Sequence, residues 1–457
     1  MLLSHLSTSI LACGLLSSTA LAEAQSPDLA STVLTEVHET ILTFLQPILE
    51  SDDDVEADSL EGFELTPRHA DEKERLLKRL SKSSGKWNNH HPRHRLLDAL
   101  HGFTRYYARQ NEEIERLRGL YKKVTKSQKK LLEHNLHYSS RFTDLQHHLS
   151  SNQALCDQIV SSGLEFYGIP RQELDEHIKA VEDKGGKADK TSVSQALKHV
   201  VRDWTTSGSR ERDRTFSCLL GTLEELFPAR TEDDADNAPR VLLPGAGLGR
   251  LGHDVAALSG FQVTTNEWSM YMNLLYRFLT SSPPISSIAN STTFHPFVDS
   301  FSHHLRFSSQ TRPLSFPDSA IRPSSVLLTE GDFTSVFVDH ADTYDVVLTY
   351  FFIDTARNLM SYLETIRRVL KPGGYWVNLG PLLYGTAPFV QLSLEEIVTV
   401  SEVLGFTFLD TEGGDCGEPT FEGKKTVRGM EAVYSFDDMQ LTKSAYLAQF
   451  WVAQLSS

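Results

Sequence analysis

The sequence predicts an α/β fold: a Rossmann-like, mostly parallel sheet behind an N-terminal α-helical domain. Three observations carry that expectation. Val241–Trp268 reads VLLPGAGLGRLGHDVAALSGFQVTTNEW: an apolar run, a glycine-rich turn, a helical pattern, and a second apolar run ending at Glu267. Further strand-like runs at Val326–Thr329, Tyr344–Phe352 and Tyr375–Leu379 follow, with a helical stretch closing at Leu370. That is the rhythm of a parallel sheet with helical crossovers. Between residues 91 and 185 the apolar residues keep helical spacing.

Length and charge bound the rest. The chain has 457 residues, 40% of them hydrophobic, and a net charge of -16. At about 150 residues per domain this allows roughly two to three domains. A uniformly acidic chain is a poor ligand for nucleic acid or an anionic membrane. Lys122, Lys123, Lys126, Lys129 and Lys130 fall on a predicted helix and read as a solvated face. Cys13, Cys156, Cys218 and Cys416 form no CxxC pair, so neither a disulfide framework nor a cysteine zinc site is expected, and no metal is needed. No stretch has the ~18 continuous apolar residues of a spanning helix, so no stable membrane insertion is expected.

Taken in order, residues 1–22 form a signal-like leader. It has an apolar middle (Ile10 to Leu16) and an Ala20-Leu21-Ala22 exit, but lacks the usual positive start. It reads equally well as a hydrophobic leader. Residues 23–90 read as one helix (Ser31–Leu49) followed by a disordered linker, acidic at Ser51–Asp58 and polar to His91. Residues 91–185 form the helical domain. A long helix starts near Pro92, with Leu96, Leu100, Phe103, Tyr107, Ile114 and Leu117 on one face; further helices span Ser127–Leu149 and Asn152–Tyr167. Phe103, Tyr106 and Tyr107 are core aromatics rather than a ligand box.

Residues 190–457 form the cofactor domain, after a linker at Lys184–Lys190. It opens with a helix over Ser194–Phe227 that carries Arg202-Asp203-Trp204. Ser281–Pro323 has no period, yet Phe294, Phe297, Phe301, Leu305 and Phe307 make it too apolar for a free linker; it should pack over the domain. Val427–Phe436 and Tyr446–Val452 read as late antiparallel strands.

The glycine turn carries the chemistry. Gly245, Gly247 and Gly249 let backbone approach an adenosine-containing ligand, and Glu267 can accept from ribose hydroxyls. Arg250 stands where a dinucleotide fingerprint has its third glycine. NAD needs room for a pyrophosphate at the helix N-terminus, whereas S-adenosylmethionine needs only backbone clearance. Gly331-Asp332-Phe333 suits adenine, the carboxylate accepting from its amine and the next N–H donating to a ring nitrogen. These features together describe a class I methyltransferase; an NAD oxidoreductase and a non-catalytic cofactor-binding scaffold are the alternatives.

The motifs PGAGLGRLG, NEWS, FFIDTARN and LKPGGYWVNLGPLLYG, in this order, resemble the carnosine N-methyltransferase family. The resemblance runs from about His91 to the C-terminus. It implies transfer of a methyl group from S-adenosylmethionine to an imidazole nitrogen of carnosine, giving anserine. It also implies roles for individual residues. Arg202 would meet the methionine carboxylate, with His199 where the family has Gln. Gly245, Gly247, Gly249 and Arg250 would form the turn. Glu267 would take the ribose, Asp332 and Phe333 the adenine, and Tyr350 would lie beside the cofactor. Asp354 matches the family's substrate carboxylate, and Tyr384 and Tyr446 would touch substrate. Gly385 replaces a family His at the substrate, which weakens the case for carnosine itself and admits a peptide or protein histidine.

Chemistry supports the Asp354 assignment: the attacking imidazole must be neutral, and a carboxylate on its other N–H fixes the tautomer and stabilises the imidazolium that forms. The competing reading of Asp354 is an N-cap for a helix over Thr355–Leu370. The implied partner is a small His-containing dipeptide, and a homodimer is open. The donor is cytosolic, so a cytoplasmic, also nuclear, setting is expected, with the secretory pathway only if the leader is a true signal. The triplet Asn290-Ser291-Thr292 would matter only then.

Overall fold

The computed structural model describes residues 65–231, 237–281, 285, 287–385 and 387–456. The leader, the Ser31–Leu49 helix and the acidic run at Ser51–Asp58 lie outside them. Strand β1 (Arg240–Pro244) pairs in parallel with β2 (Gln262–Glu267) on one side and β6 (Tyr344–Tyr350) on the other. β2 pairs in parallel with β5 (Val326–Glu330), and β6 with β7 (Leu370–Gly380). The far side is antiparallel: β11 (Ala445–Leu455) on β7, and β10 (Val427–Val433) on β11. The order is therefore β5-β2-β1-β6-β7-β11-β10. Val241, Leu242, Val346 and Val347 are wholly buried because helices cover both faces. Chain progression reverses between β1 and β6, and the carboxyl ends at such a switch form a ligand crevice. Gly245, Glu267, Gly331 and Phe351 stand at four of those ends.

The helices differ from expectation in instructive ways. Pro67–Arg79, assigned to the disordered linker, is helix α1 against the β5 edge. His69 Nε2 donates to the Val326 carbonyl at 3.1 Å, and Arg79 bonds Glu72 at 2.7 Å and the Glu330 carbonyl at 3.1 Å. Only Leu76 and Leu80 are buried apolar anchors there, too few to register as a helical stripe. The long helix from Pro92 breaks at Arg105 into α2 (Pro92–Thr104) and α3 (Tyr106–Tyr121). The two helices expected over Ser127–Leu149 and Asn152–Tyr167 are α4 (Lys126–Leu136) and the 28-residue α5 (Ser140–Tyr167), so the break falls at 137–139 and the chain stays helical through 150–151. α6 spans Arg171–Glu182. The Ser194–Phe227 stretch is α7 (Lys190–Trp204) and α8 (Ser209–Leu226), folded apart at Thr206–Gly208. Gly208 permits that fold, since a Cβ there would collide with the Val201 and Arg202 carbonyls.

The boundary expected at 185–190 divides no compact units: the described residues on either side of it cluster as one. Leu100, Phe103 and Ile159 of the helical half share a core with Leu274 and Leu275 of α10 (Met270–Ser281). Phe294, Phe297 and Phe316 join the same core, so the aperiodic stretch does pack down. A second correction concerns cysteine. Cys218 and Cys416 are bridged, with Sγ–Sγ 2.07 Å, tying α8 to the segment before β10 across 198 residues of sequence. That separation hides the proximity from any spacing rule; only the fold creates it.

Candidate active site

The turn after β1 is shaped by three left-handed glycines, with φ of 67° at Gly245, 58° at Gly247 and 78° at Gly249. Space as well as conformation demands them at two positions. A Cβ on Gly245 would collide with the Phe352 ring, and one on Gly249 would stand 2.6 Å from Tyr276 Cε2. Gly247 is different: its nearest neighbour would be Arg202 Nη2 at 3.5 Å, so its bare face looks across to a cation. Trp204 Nε1 donates to the Leu248 carbonyl at 2.9 Å, and Leu248 N–H donates to Asp203 Oδ2 at 3.3 Å. The end of α7 therefore clasps the turn. Glu267 clasps it from the other side, its carboxylate accepting from Gly247 N–H at 2.8 Å and Ser269 N–H at 2.7 Å. Burial pushes its carboxyl above the usual range.

Arg202 is buried and forks onto its neighbour Asp203, with Nε–Oδ1 at 2.6 Å and Nη2–Oδ2 at 3.2 Å. Burial alone would raise Asp203, but the Arg202 guanidinium holds it below its ordinary value. The Tyr434 ring lies 5.4 Å from the guanidinium. One turn earlier on α7, His199 packs its ring 5.1 Å from Phe436 and buries Nδ1 with no hydrogen-bond partner. Burial pushes its pKa down to about 3, so the imidazole is neutral. Glu211, opening α8, accepts from the backbone N–H groups of Ser435 at 3.0 Å and Phe436 at 2.6 Å. Its other oxygen is buried and unpartnered, and burial raises its carboxyl. Tyr350, at the end of β6, shares a 3.1 Å hydrogen bond with Thr215 and has a hydroxyl pushed up to about 12 by burial.

On the adenine side, Asp332 caps the short helix α12 (Phe333–Val336), accepting from Thr334 N–H at 2.8 Å, and is exposed. The Phe333 side chain points into the core, edge-on to Phe352 at 5.5 Å and Tyr362 at 5.6 Å, so only its backbone is left for a ligand. Arg250 departs from expectation. Its hydrogen bonds go to Asp254 (2.9 Å), Asp318 (2.6 Å) and the Asp203 carbonyl (3.1 Å). It braces α9 (Arg250–Ala257) and the end of α7 instead of offering a donor to a ligand.

On the substrate side, Asp354 is 6% exposed, lies in a one-turn 3-10 segment (Ile353–Thr355), and accepts from Leu383 N–H at 2.9 Å. Burial raises its carboxyl. It is not a helix cap: α13 runs Leu359–Val369 and its N-cap is Asn358. Tyr384 spends its hydroxyl on Leu392, donating to the carbonyl at 2.7 Å and accepting from the N–H at 3.2 Å, which staples the loop after β7. Gly385 is exposed, and a Cβ there would meet nothing within 4 Å. Tyr446 joins an aromatic cluster, 5.9 Å from Phe351 and 6.1 Å from Tyr434. Tyr434, Phe436 and Glu211 had no assigned role in the sequence. They stand at a strand end and a helix start that carry no motif, and only the fold brings them to Arg202.

The residues fit an α-amino-acid-bearing cofactor. The buried guanidinium of Arg202 faces the bare Gly247, and His199 Nδ1 and Glu211 Oε2 are polar atoms left without partners around the same Tyr434–Phe436 segment. Strand order, glycine turn and acid at the β2 tip together define an S-adenosylmethionine-dependent class I methyltransferase. The family model described as carnosine N-methyltransferase matches residues 180–457. The chain belongs to the carnosine N-methyltransferase family. It is similar to the carnosine N-methyltransferase of Schizosaccharomyces pombe, 35% identical over 287 residues covering 58% of this chain and 70% of that one. The Mus musculus enzyme of the same name is 32% identical over 323 residues, 67% of this chain and 76% of that protein. The Drosophila melanogaster carnosine N-methyltransferase unmet is 29% identical over 271 residues, 57% and 55% respectively.

Proposed function

We propose that this enzyme methylates an imidazole nitrogen of carnosine or a closely related His-containing dipeptide, using S-adenosylmethionine. One observation carries the substrate side: Asp354 is a buried carboxylate at the crevice that caps no helix, and its only hydrogen bonds among the described residues come from backbone N–H groups. When bound, S-adenosylmethionine supplies an electrophilic methyl on its sulfonium. Arg202 pairs with the methionine carboxylate in a charge-assisted contact. Glu267 retains acceptor capacity for a ribose hydroxyl, because a carboxylate offers about four lone-pair sites and the backbone N–H groups of Gly247, Trp268 and Ser269 leave part of them free. Asp332 accepts from the adenine amine while the Phe333 N–H donates.

Asp354 accepts the substrate imidazole N–H, which leaves the opposite nitrogen neutral, unprotonated and free to attack. As the methylated ring becomes imidazolium, the same carboxylate stabilises its charge. Arg202 and Glu267 would hold the cofactor and Asp354 the imidazole, and such positioning of two reactants in one crevice is a large source of rate gain. A second reading, methylation of a peptide or protein histidine, rests on the open space at Gly385. Purified enzyme offered methyl-labelled S-adenosylmethionine with carnosine, free histidine and a His-containing peptide separately discriminates them. Carnosine turnover giving anserine supports the proposal. Turnover of the peptide alone moves the substrate, and cofactor binding without any turnover supports a scaffold instead.

A further inference from the structure

Three side chains outside the methyl-transfer crevice converge without a role in it. His94 and Asp98 are one turn apart on the same face of α2, and His177 reaches them from α6. Asp98 receives both imidazoles, His94 Nδ1 at 3.0 Å on one oxygen and His177 Nε2 at 2.8 Å on the other. The two rings meet edge to face at 4.9 Å. Among the described residues this is the one group of three or more His, Cys, Asp or Glu side chains whose ligand atoms all lie within 4.8 Å of one another.

We propose that His94, Asp98 and His177 form a binding site for a divalent zinc-class transition metal ion. Tetrahedral zinc with bonds of about 2.0–2.2 Å places its ligand atoms about 3.3 Å apart; here one ligand atom from each of the three residues lies within 4.8 Å of the others, so side-chain rotations that draw them together admit the ion. Ligands at i and i+4 on one helix plus a third from a neighbouring helix is a common way to present three donors to one ion. The donor set suits borderline ions: two imidazoles and one carboxylate favour zinc over calcium or magnesium, which want oxygen. Competing partners are occupied. Glu173, one turn before His177, is taken by Arg93 (2.6 Å) and Lys82 (3.1 Å), and His101 by Glu182 (3.2 Å). Asp98 keeps 41% of its side chain exposed and lines a surface cleft of about 450 Å³ with Arg95 and Trp268. A fourth, water ligand and an access route are thus available. The ion would pin α6 to α2 and takes no part in methyl transfer.

The test uses untagged full-length protein stripped with chelator and titrated with Co²⁺, then with Zn²⁺. The proposal expects one equivalent of Co²⁺ with a visible d–d band of tetrahedral character, displaced by Zn²⁺. Zn²⁺ should also raise the Tm of the wild type, as any ligand that binds only the folded state does. His94→Gln, His177→Gln and Asp98→Asn should each weaken Zn²⁺ binding about tenfold or more. Asp98→Asn is isosteric and keeps an acceptor oxygen, so it separates loss of a ligand from loss of fold. The proposal is overturned if no stoichiometric Co²⁺ band appears, or if Asp98→Asn binds Zn²⁺ like the wild type. An unchanged Tm with Zn²⁺ in the wild type counts against it as well.

Discussion

Asp354 sits five residues ahead of α13, and Asn358 takes the capping role that was the competing reading of Asp354. Its carboxylate is therefore free for substrate. Asp354→Asn should lower kcat by about 10²-fold or more, the scale for losing one preorganised electrostatic partner, while cofactor Kd stays within a few-fold. Steady-state kinetics with a parallel binding titration checks both. Gly385 offers the converse experiment. A Cβ at this exposed position meets nothing within 4 Å, so Gly385→His can start its side chain in open space. It should lower KM for carnosine about tenfold, a hydrogen bond's worth of about 1.4 kcal/mol, if the dipeptide is the substrate. An unchanged KM would point to a larger substrate. Most of these residues were legible in the sequence because they sit in contiguous motifs at strand ends. Arg250 was misread for the same reason: motif position placed it at the turn, but two acids, Asp254 and Asp318, draw its guanidinium elsewhere.

At the scale of elements, the crevice is held by two clasps on one glycine turn, the α7 end through Trp204 and Asp203, and the β2 tip through Glu267. Breaking either should loosen cofactor binding and fold together. Arg202→Ala leaves buried Asp203 unpaired, a change that costs about 3–5 kcal/mol. It should depress Tm and abolish saturable cofactor binding, read by thermal melting and calorimetry. Gly247→Ala should be milder for stability than Gly245→Ala, because only the latter drives a methyl into the Phe352 ring. Strands were easier to read than helix ends. Apolar runs such as YDVVLTY announce a buried parallel strand, whereas the breaks at Arg105 and over 137–139 and the join over 150–151 depend on contacts between helices far apart in sequence. Helix α1 escaped notice because its burial rests on two leucines and on a buried Glu72 paired with a half-buried Arg79.

At the scale of the whole molecule, helical and sheet halves share one core, so acid stability belongs to both. His199 and His253 are each buried neutral with pKa pushed down to about 3 by desolvation. Unfolded histidine titrates near 6.5, so between about pH 6.5 and 3 the unfolded chain binds more protons, and stability falls as pH falls through that window. The double variant His199→Gln/His253→Gln should flatten this slope by up to about two protons relative to wild type, measured by denaturant unfolding at stepped pH. Comparison with wild type isolates the histidines from Glu211, Glu267 and Asp354, whose carboxyls burial shifts upward. No sequence pattern announced this shared core, since the linker-like Lys184–Lys190 looked like a domain boundary; it is a short turn between packed helices.

The most direct test of the central claim is single-turnover transfer of labelled methyl from S-adenosylmethionine to carnosine, wild type against Asp354→Asn, at saturating cofactor. The account predicts labelled anserine from the wild type and a chemical step slowed about 10²-fold or more in the variant with cofactor affinity retained. Equal rates in the two proteins would contradict it, as would label appearing on no imidazole nitrogen.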